Sequence, residues 1–248
     1  MMKACVLLAA AAAVLSAAPA AAQNCRTVRY DPEAPARTSR RHAEDSTRLA
    51  LRDEVRDTLA ARFRAAALEA GVAEPAGLVV VEIRDRRRGT AEVTPHASNV
   101  SYAVLRGVVD AHAELIARWP ERDGVFNLRL DRPYRPAPTE VAREAVECQP
   151  SIVDLNRLRR DLDVLSRRQG PLAPGQDPRV ELRVRMLVSR NGDVAYARLA
   201  GRGVRPALNE AVLELARQIR FNPASVNGVP VDVWVELPFQ FVLPVGPS

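Results

Sequence analysis

Aromatic residues make up only 4% of this 248-residue chain, so its core must be built mainly from Val, Leu and Ala. Lysine is almost missing: Lys3 is the single one, and the other basic side chains are arginines and three histidines. His42, His96 and His112 have no zinc-ligand spacing, and His112 and Glu114 are too close in sequence to share a helix face. There is no Gly-x-Ser-x-Gly, P-loop or dinucleotide fingerprint, and Cys148 has no His near it in sequence. These absences argue against an enzyme and predict no metal and no cofactor. They leave catalysis only to a site assembled from distant residues. Beyond residue 22 no apolar run is long enough to span a membrane.

What is present begins with Met1 to Ala22, which reads as an export signal. Lys3 supplies the positive end, Val6 to Leu15 the apolar region, and Ala20-Ala21-Ala22 a small-residue cleavage pattern ahead of Gln23. The expected location is periplasmic. The alternative is that the stretch stays in the inner membrane as an anchor, the one case in which a membrane is a partner. The net charge of +6 comes from arginines interspersed with acids. That pattern reads as solvated faces in an arginine-biased composition, and an exported chain predicts no nucleic-acid partner. Removing the signal leaves Cys25 and Cys148, which an oxidising compartment allows to pair. Sequence leaves that pairing open.

The chain then divides by composition. Residues 23–42 are rich in Pro and Arg and predict an extended or mobile arm. A helix capped at Asp45-Ser46 is expected to run to about Ala70, with Leu51, Val55, Leu59 and Phe63 on one stripe and Gly71 as the stop. Leu78 to Ile83 and Thr90 to Thr94 read as strands around a charged turn, Asn99 to Trp119 as a helix, and Val125 to Leu130 as a third strand. After a Pro-rich break at Tyr134 to Pro138, Ser151 is expected to cap a helix carrying Leu155, Leu158, Leu162 and Leu165. Gly170 to Pro178 reads as a linker.

The last third repeats the earlier order. Val180 to Val188 alternates as a strand, Arg190-Asn191-Gly192-Asp193 is a hairpin turn, and Val194 to Leu199 returns. Val204 to Ile219 reads as a helix and Val231 to Phe241 as a final strand of period two. Pro238 removes a donor, so that strand is expected to be an edge there or to be distorted. The expected fold is α+β: two small strand–strand–helix–strand units with additional packing helices. The first lies within 43–138, a helix and linker within 139–178, and the second within 179–248.

Arg220-Phe221-x-Pro223-Ala224-x-x-Asn227-Gly228-x-Pro230-Val231-x-x-Trp234-Val235 resembles the C-terminal signature of TonB-type energy transducers. The resemblance spans roughly residues 170–244. The first unit lacks the signature, so only the fold could carry over to it, as a degenerate repeat. The resemblance implies that the last strand receives an extended segment of an outer-membrane transporter or other envelope protein, through Val231, Asp232, Val233, Trp234, Val235 and Glu236. A Pro at Val233 or Val235 is then expected to abolish capture. Arg220, Phe221, Pro223, Ala224, Asn227, Gly228 and Pro230 are expected to hold the turn and the helix end. Phe221 is expected in the core, and Trp234 either over a bound strand or under a helix. The expected function is non-catalytic capture of a protein partner; the alternatives are an anchored energy transducer and a periplasmic enzyme.

Overall fold

The structure is a computed structural model that describes residues 24–29, 40–120, 124–131, 144–169 and 178–243. The expected signal, the Pro-rich break at Tyr134 to Pro138 and nearly all of the linker lie outside the described residues. Among the described residues no helix is long and apolar enough to cross a membrane.

The first unit starts with α1 (Arg40–Glu69), which begins earlier than the Asp45-Ser46 cap suggests. Gly71, at φ +85°, follows its end. Val55, Leu59, Phe63 and Ala67 are buried along one stripe. Next come β2 (Leu78–Asp85), β3 (Thr90–His96), α2 (Tyr102–Ala111), α3 (Ala113–Ala117) and β4 (Val125–Arg129). The expected single helix over Asn99 to Trp119 is two helices. Ser101 caps α2 by accepting from the Val104 N–H, and the backbone breaks at His112 (φ −120°, ψ 35°). Trp119 and Phe126 then stack with ring centroids 4.3 Å apart in the middle of the core.

The second unit comprises α4 (Leu155–Arg168), β7 (Arg179–Val188), β8 (Val194–Leu199), α5 (Pro206–Gln218) and β12 (Val233–Val242). Asp154, not Ser151, caps α4, accepting from the Arg157 N–H. Ser151 and Ile152 instead form β6, which pairs with β9 (Phe221–Asn222). Leu158, Val184, Met186, Leu208, Val212, Phe221, Phe239 and Phe241 build its core. The fold is α+β.

The two three-stranded sheets have the same order. In β3-β2-β4 and in β8-β7-β12 the first strand is central, its hairpin partner lies on one side and the last strand on the other. The hairpin glycines correspond as well. Gly89 and Gly192 have φ +64° and +85°, and a Cβ at either would strike a backbone carbonyl, of Ala113 and Phe221 respectively. Each close approach seats the hairpin tip against the chain around or just beyond the helix, and only Gly permits it.

Residues 23–42 were expected as an extended or mobile arm, and within them Cys25–Arg29 form strand β1. It pairs with β5 (Glu144–Cys148), and β5 pairs with β10 (Ser225–Val226), which turns through Asn227-Gly228 into β11 (Val229–Pro230). Cys25 stands opposite Cys148, and the two are joined as a disulfide.

The two sheets meet face to face, with their helices on the outer sides. Leu78, Val80 and Val125 pack against Leu187, Ala195, Tyr196 and Trp234. This places Trp234 neither under a helix nor free to cover a bound strand. It lies between the units, with its indole N–H donating to Asn127 Oδ1 at 3.2 Å. The Tyr196 hydroxyl donates to Glu82 at 2.5 Å. Burial, then the Glu82 carboxylate, push the Tyr196 pKa up, so this phenol stays protonated as the donor.

Candidate functional site: an open strand edge

Val231 to Glu236 enter the site in two ways, one through side chains and one through the main chain. The Asp232 carboxylate is 8% exposed and accepts from Arg129 Nη1 at 3.3 and 3.1 Å. It also accepts from the Arg190 backbone N–H at 2.9 Å. Arg129 bridges on to Asp131 at 2.9 Å, and the Arg190 side chain reaches Asp131 at 3.0 Å. Burial alone would raise the Asp131 pKa, but Arg129 and Arg190 outweigh it and hold the carboxyl below its ordinary value. This network fixes the start of β12 against β4. The side chains of Asp232 and Trp234 are therefore committed within the chain.

The main chain of β12 is disposed differently. Leu243 N–H donates to Pro178 O at 2.9 Å, in register with the Val242–Arg179 pair. An antiparallel ladder alternates, so the odd-numbered residues from Val233 to Leu243 direct their N–H and C=O groups at β7. The even-numbered residues Trp234, Glu236, Pro238, Gln240 and Val242 direct theirs outward, where among the described residues no further strand pairs with β12. β7 agrees: its Arg183 O accepts from Ala200 N–H on the β8 side at 2.8 Å. Pro238 falls on an outward position, where a missing N–H costs the sheet nothing. The other edge strand, β8, is shorter and has a register shift opposite Leu187 and Val188, which blunts it.

This parity corrects the expectation that Pro at Val233 or Val235 probes docking. Those N–H groups bond to β7, so Pro there attacks the sheet itself. Glu236 and Gln240 are the positions that test the edge alone.

The first unit's matching edge is closed. Leu130 N–H donates to Gly77 O at 3.0 Å, so the odd-numbered residues of β4 face outward. Helix α1 covers them: Arg56 Nη2 donates to Asn127 O at 3.1 Å and Arg64 Nη2 to Arg129 O at 3.3 Å. Arg64 Nε also donates to Leu130 O at 2.7 Å. In the second unit the corresponding helix, α4, contributes a hydroxyl at the far end, Ser166 donating to Val242 O at 2.7 Å.

The signature residues lie just ahead of β12, at the β7–β8 hairpin tip and in β9 to β11. Phe221 and Ala224 are buried. Arg220 is exposed and pairs with Asp193 at the hairpin tip. Asn227 and Gly228 turn at φ +50° and +76°, and Asn227 Oδ1 accepts from the Val146 N–H at 2.8 Å. Pro223 follows Phe221 next to the Gly192 tip, and Pro230 is exposed at the hairpin end. Among the described residues no group of three His, Cys, Asp or Glu side chains gathers as a metal site.

His96, at the end of β3, sits near Asp232, Arg129 and Arg220. Burial lowers its pKa below the ordinary 6.5, with Asp232 opposing and the arginines adding to the drop. A depressed histidine stabilises the fold as the neutral form. That contribution is present above about pH 6.5 and is lost as pH falls through the folded value. Urea midpoints are therefore expected to drop between pH 7 and 5, and His96→Asn should flatten the slope. An unchanged slope in the variant would assign the acid sensitivity elsewhere.

Comparison with curated proteins and with solved structures finds no match. Comparison with family models matches residues 179–243 to the Gram-negative bacterial TonB protein C-terminal. The matched span begins with β7 and ends at Leu243, taking in the central strand, the hairpin, α5, the signature turn and the open edge. Residues 179–243 of this chain are a TonB C-terminal domain.

Proposed function

We propose that the chain captures an extended segment of an outer-membrane transporter by strand addition to β12, without catalysis. TonB C-terminal domains bind outer-membrane transporters, and the domain implies a place in the cell envelope. The observation that carries the reading is the outward row of main-chain groups on β12, left open where the matching row on β4 is covered by Arg56 and Arg64. Strand addition draws affinity from such main-chain groups and specificity from alternate side chains. The first unit is a copy of the same fold whose edge has been closed. Matching strand order and matching hairpin glycines support that duplication. Export with cleavage before Gln23 would make the protein a periplasmic adaptor rather than an anchored transducer. The mass of the mature chain decides that point.

A photocrosslinker at Gln240 tests the docking edge in cells. The expected adduct is a transporter segment, lost on Glu236→Pro, which removes an outward N–H and leaves the β7 ladder intact. Val235→Pro is the control that should unfold the domain. An undiminished adduct in folded Glu236→Pro, or no transporter adduct in the parent, overturns the reading.

A further inference from the structure

Helix α4 flanks the open edge, and its side chains define what a docked segment must carry. A helix advances about 100° per residue. Leu155, Arg159, Leu162 and Ser166 therefore share one stripe, Leu158 and Leu165 the next, and Asp161, Val164 and Arg168 a third. The middle stripe enters the core, where Leu158 is buried. The third lines a groove with Ala211, Glu214, Leu215 and Gln218 of α5. The first faces β12, and Ser166 shows it by bonding the outward carbonyl of Val242.

That stripe leaves apolar surface uncovered beside the edge. Leu155 is 44% exposed, and Leu162 is half-buried, with part of its side chain packed on the second core. On the same side of the sheet Val233, Val235 and Leu237 are half-buried, whereas Phe239 and Phe241 farther along are buried. The opposite side of β12 has one ionisable side chain, Glu236, which is exposed. Two arginines of β7 share that side: Arg185 stands directly across from Glu236 with its guanidinium over the Trp234 ring, and Arg183, 3.8 Å from Glu236, is held more closely by Glu181, at 2.9 Å. A cation on an added strand would sit directly across from Glu236.

We infer that the cleft between α4 and β12 takes an extended segment with apolar side chains at alternate positions facing Leu155 and Leu162, and a cationic side chain opposite Glu236. The inference rests on the strand-addition reading and specifies its ligand. The α4 stripe covers one face of the added strand, and Glu236 reads the other. A segment of uniform polarity satisfies neither, and one with acids on the open face meets Glu236 as a like charge.

Fluorescence anisotropy on the full chain tests this with a labelled nonapeptide alternating Val with Lys and Thr, and a counterpart in which Glu replaces Lys. The Lys peptide is expected to bind about tenfold tighter than the Glu peptide, with Glu236→Lys reversing the order. Leu155→Glu and Leu155→Ser, both at an already exposed site, should each weaken the Lys peptide about tenfold with an unchanged circular dichroism spectrum. If both helix variants bind like the parent while Glu236→Pro abolishes binding, strand addition stands and the role of α4 falls. Binding that survives Glu236→Pro removes strand addition and this inference together. Equal binding of the two peptides, or no binding of either, overturns the assigned ligand chemistry.

Discussion

Asp232→Ala is expected to destabilise the protein by about 3 kcal/mol, because it breaks a buried charge pair from one side. Asp232 is 8% exposed and its partner Arg129 is 19% exposed. Removing the carboxylate strands the Arg190 N–H and takes away the second anion around Arg129. Arg129 keeps Asp131 at 2.9 Å, which places the cost at the lower end of the usual range for such deletions. Asp232→Asn, which retains an acceptor for the Arg190 N–H, should cost less.

The loss should fall on the contact between the units before it falls on either core. The two tryptophans report the parts separately: Trp119 lies in the first core, and Trp234 lies between the sheets. In Asp232→Ala the Trp234 transition should move to lower urea than the Trp119 transition, whereas the parent should show one shared transition. A variant within about 0.5 kcal/mol of the parent, with both tryptophans still moving together, would show that the Asp232 network does not hold the units.

Much of this arrangement is legible in the sequence because it is local. The period-two run from Val233 to Phe241, the Asn227-Gly228 turn, the buried Phe221 and the helix stripe of Leu208 and Val212 depend on near neighbours. The shared order of the two units follows from the same local signals. What sequence misses is set by partners far along the chain. Cys25–Arg29 and Glu144–Cys148 read CRTVR and EAVEC, with no apolar alternation. They become strands because each finds the other, and because β10 supplies a further neighbour. Arg56 and Arg64 look like a solvated helix face until β4 is placed beneath them. Trp234 has the exposed parity of its strand, and only the packing of one sheet on the other gives it a buried neighbour. Which N–H groups of β12 point outward depends on the register with β7, so the positions Val233 and Val235 suggest themselves from sequence and Glu236 and Gln240 from structure.

Reducing the disulfide should destabilise the two units unequally. Cys25 and Cys148 are separated by 123 residues, and the loop they close contains the whole first core, from Val55 to Leu130. The second core, from Leu158 to Leu243, lies outside it. A crosslink acts largely by restricting the unfolded chain it encloses, and a loop of this length is worth up to about 4–5 kcal/mol on that account. The start of β1 contributes little packing, since residues 24–27 are exposed. Stability is therefore removed from the first unit through its unfolded state, not through broken contacts in its core. In the Asp232→Ala background, where the units unfold separately, Cys148→Ser should lower the Trp119 transition strongly. It should move the second unit only by the loss of the short β5–β10 pairing. Peptide binding at the β12 edge, where strand addition is proposed, should then survive reduction, while the first unit becomes sensitive to protease. Equal shifts in both units, or a Trp119 transition unmoved by the substitution, would place the stabilising effect of the disulfide in native contacts instead.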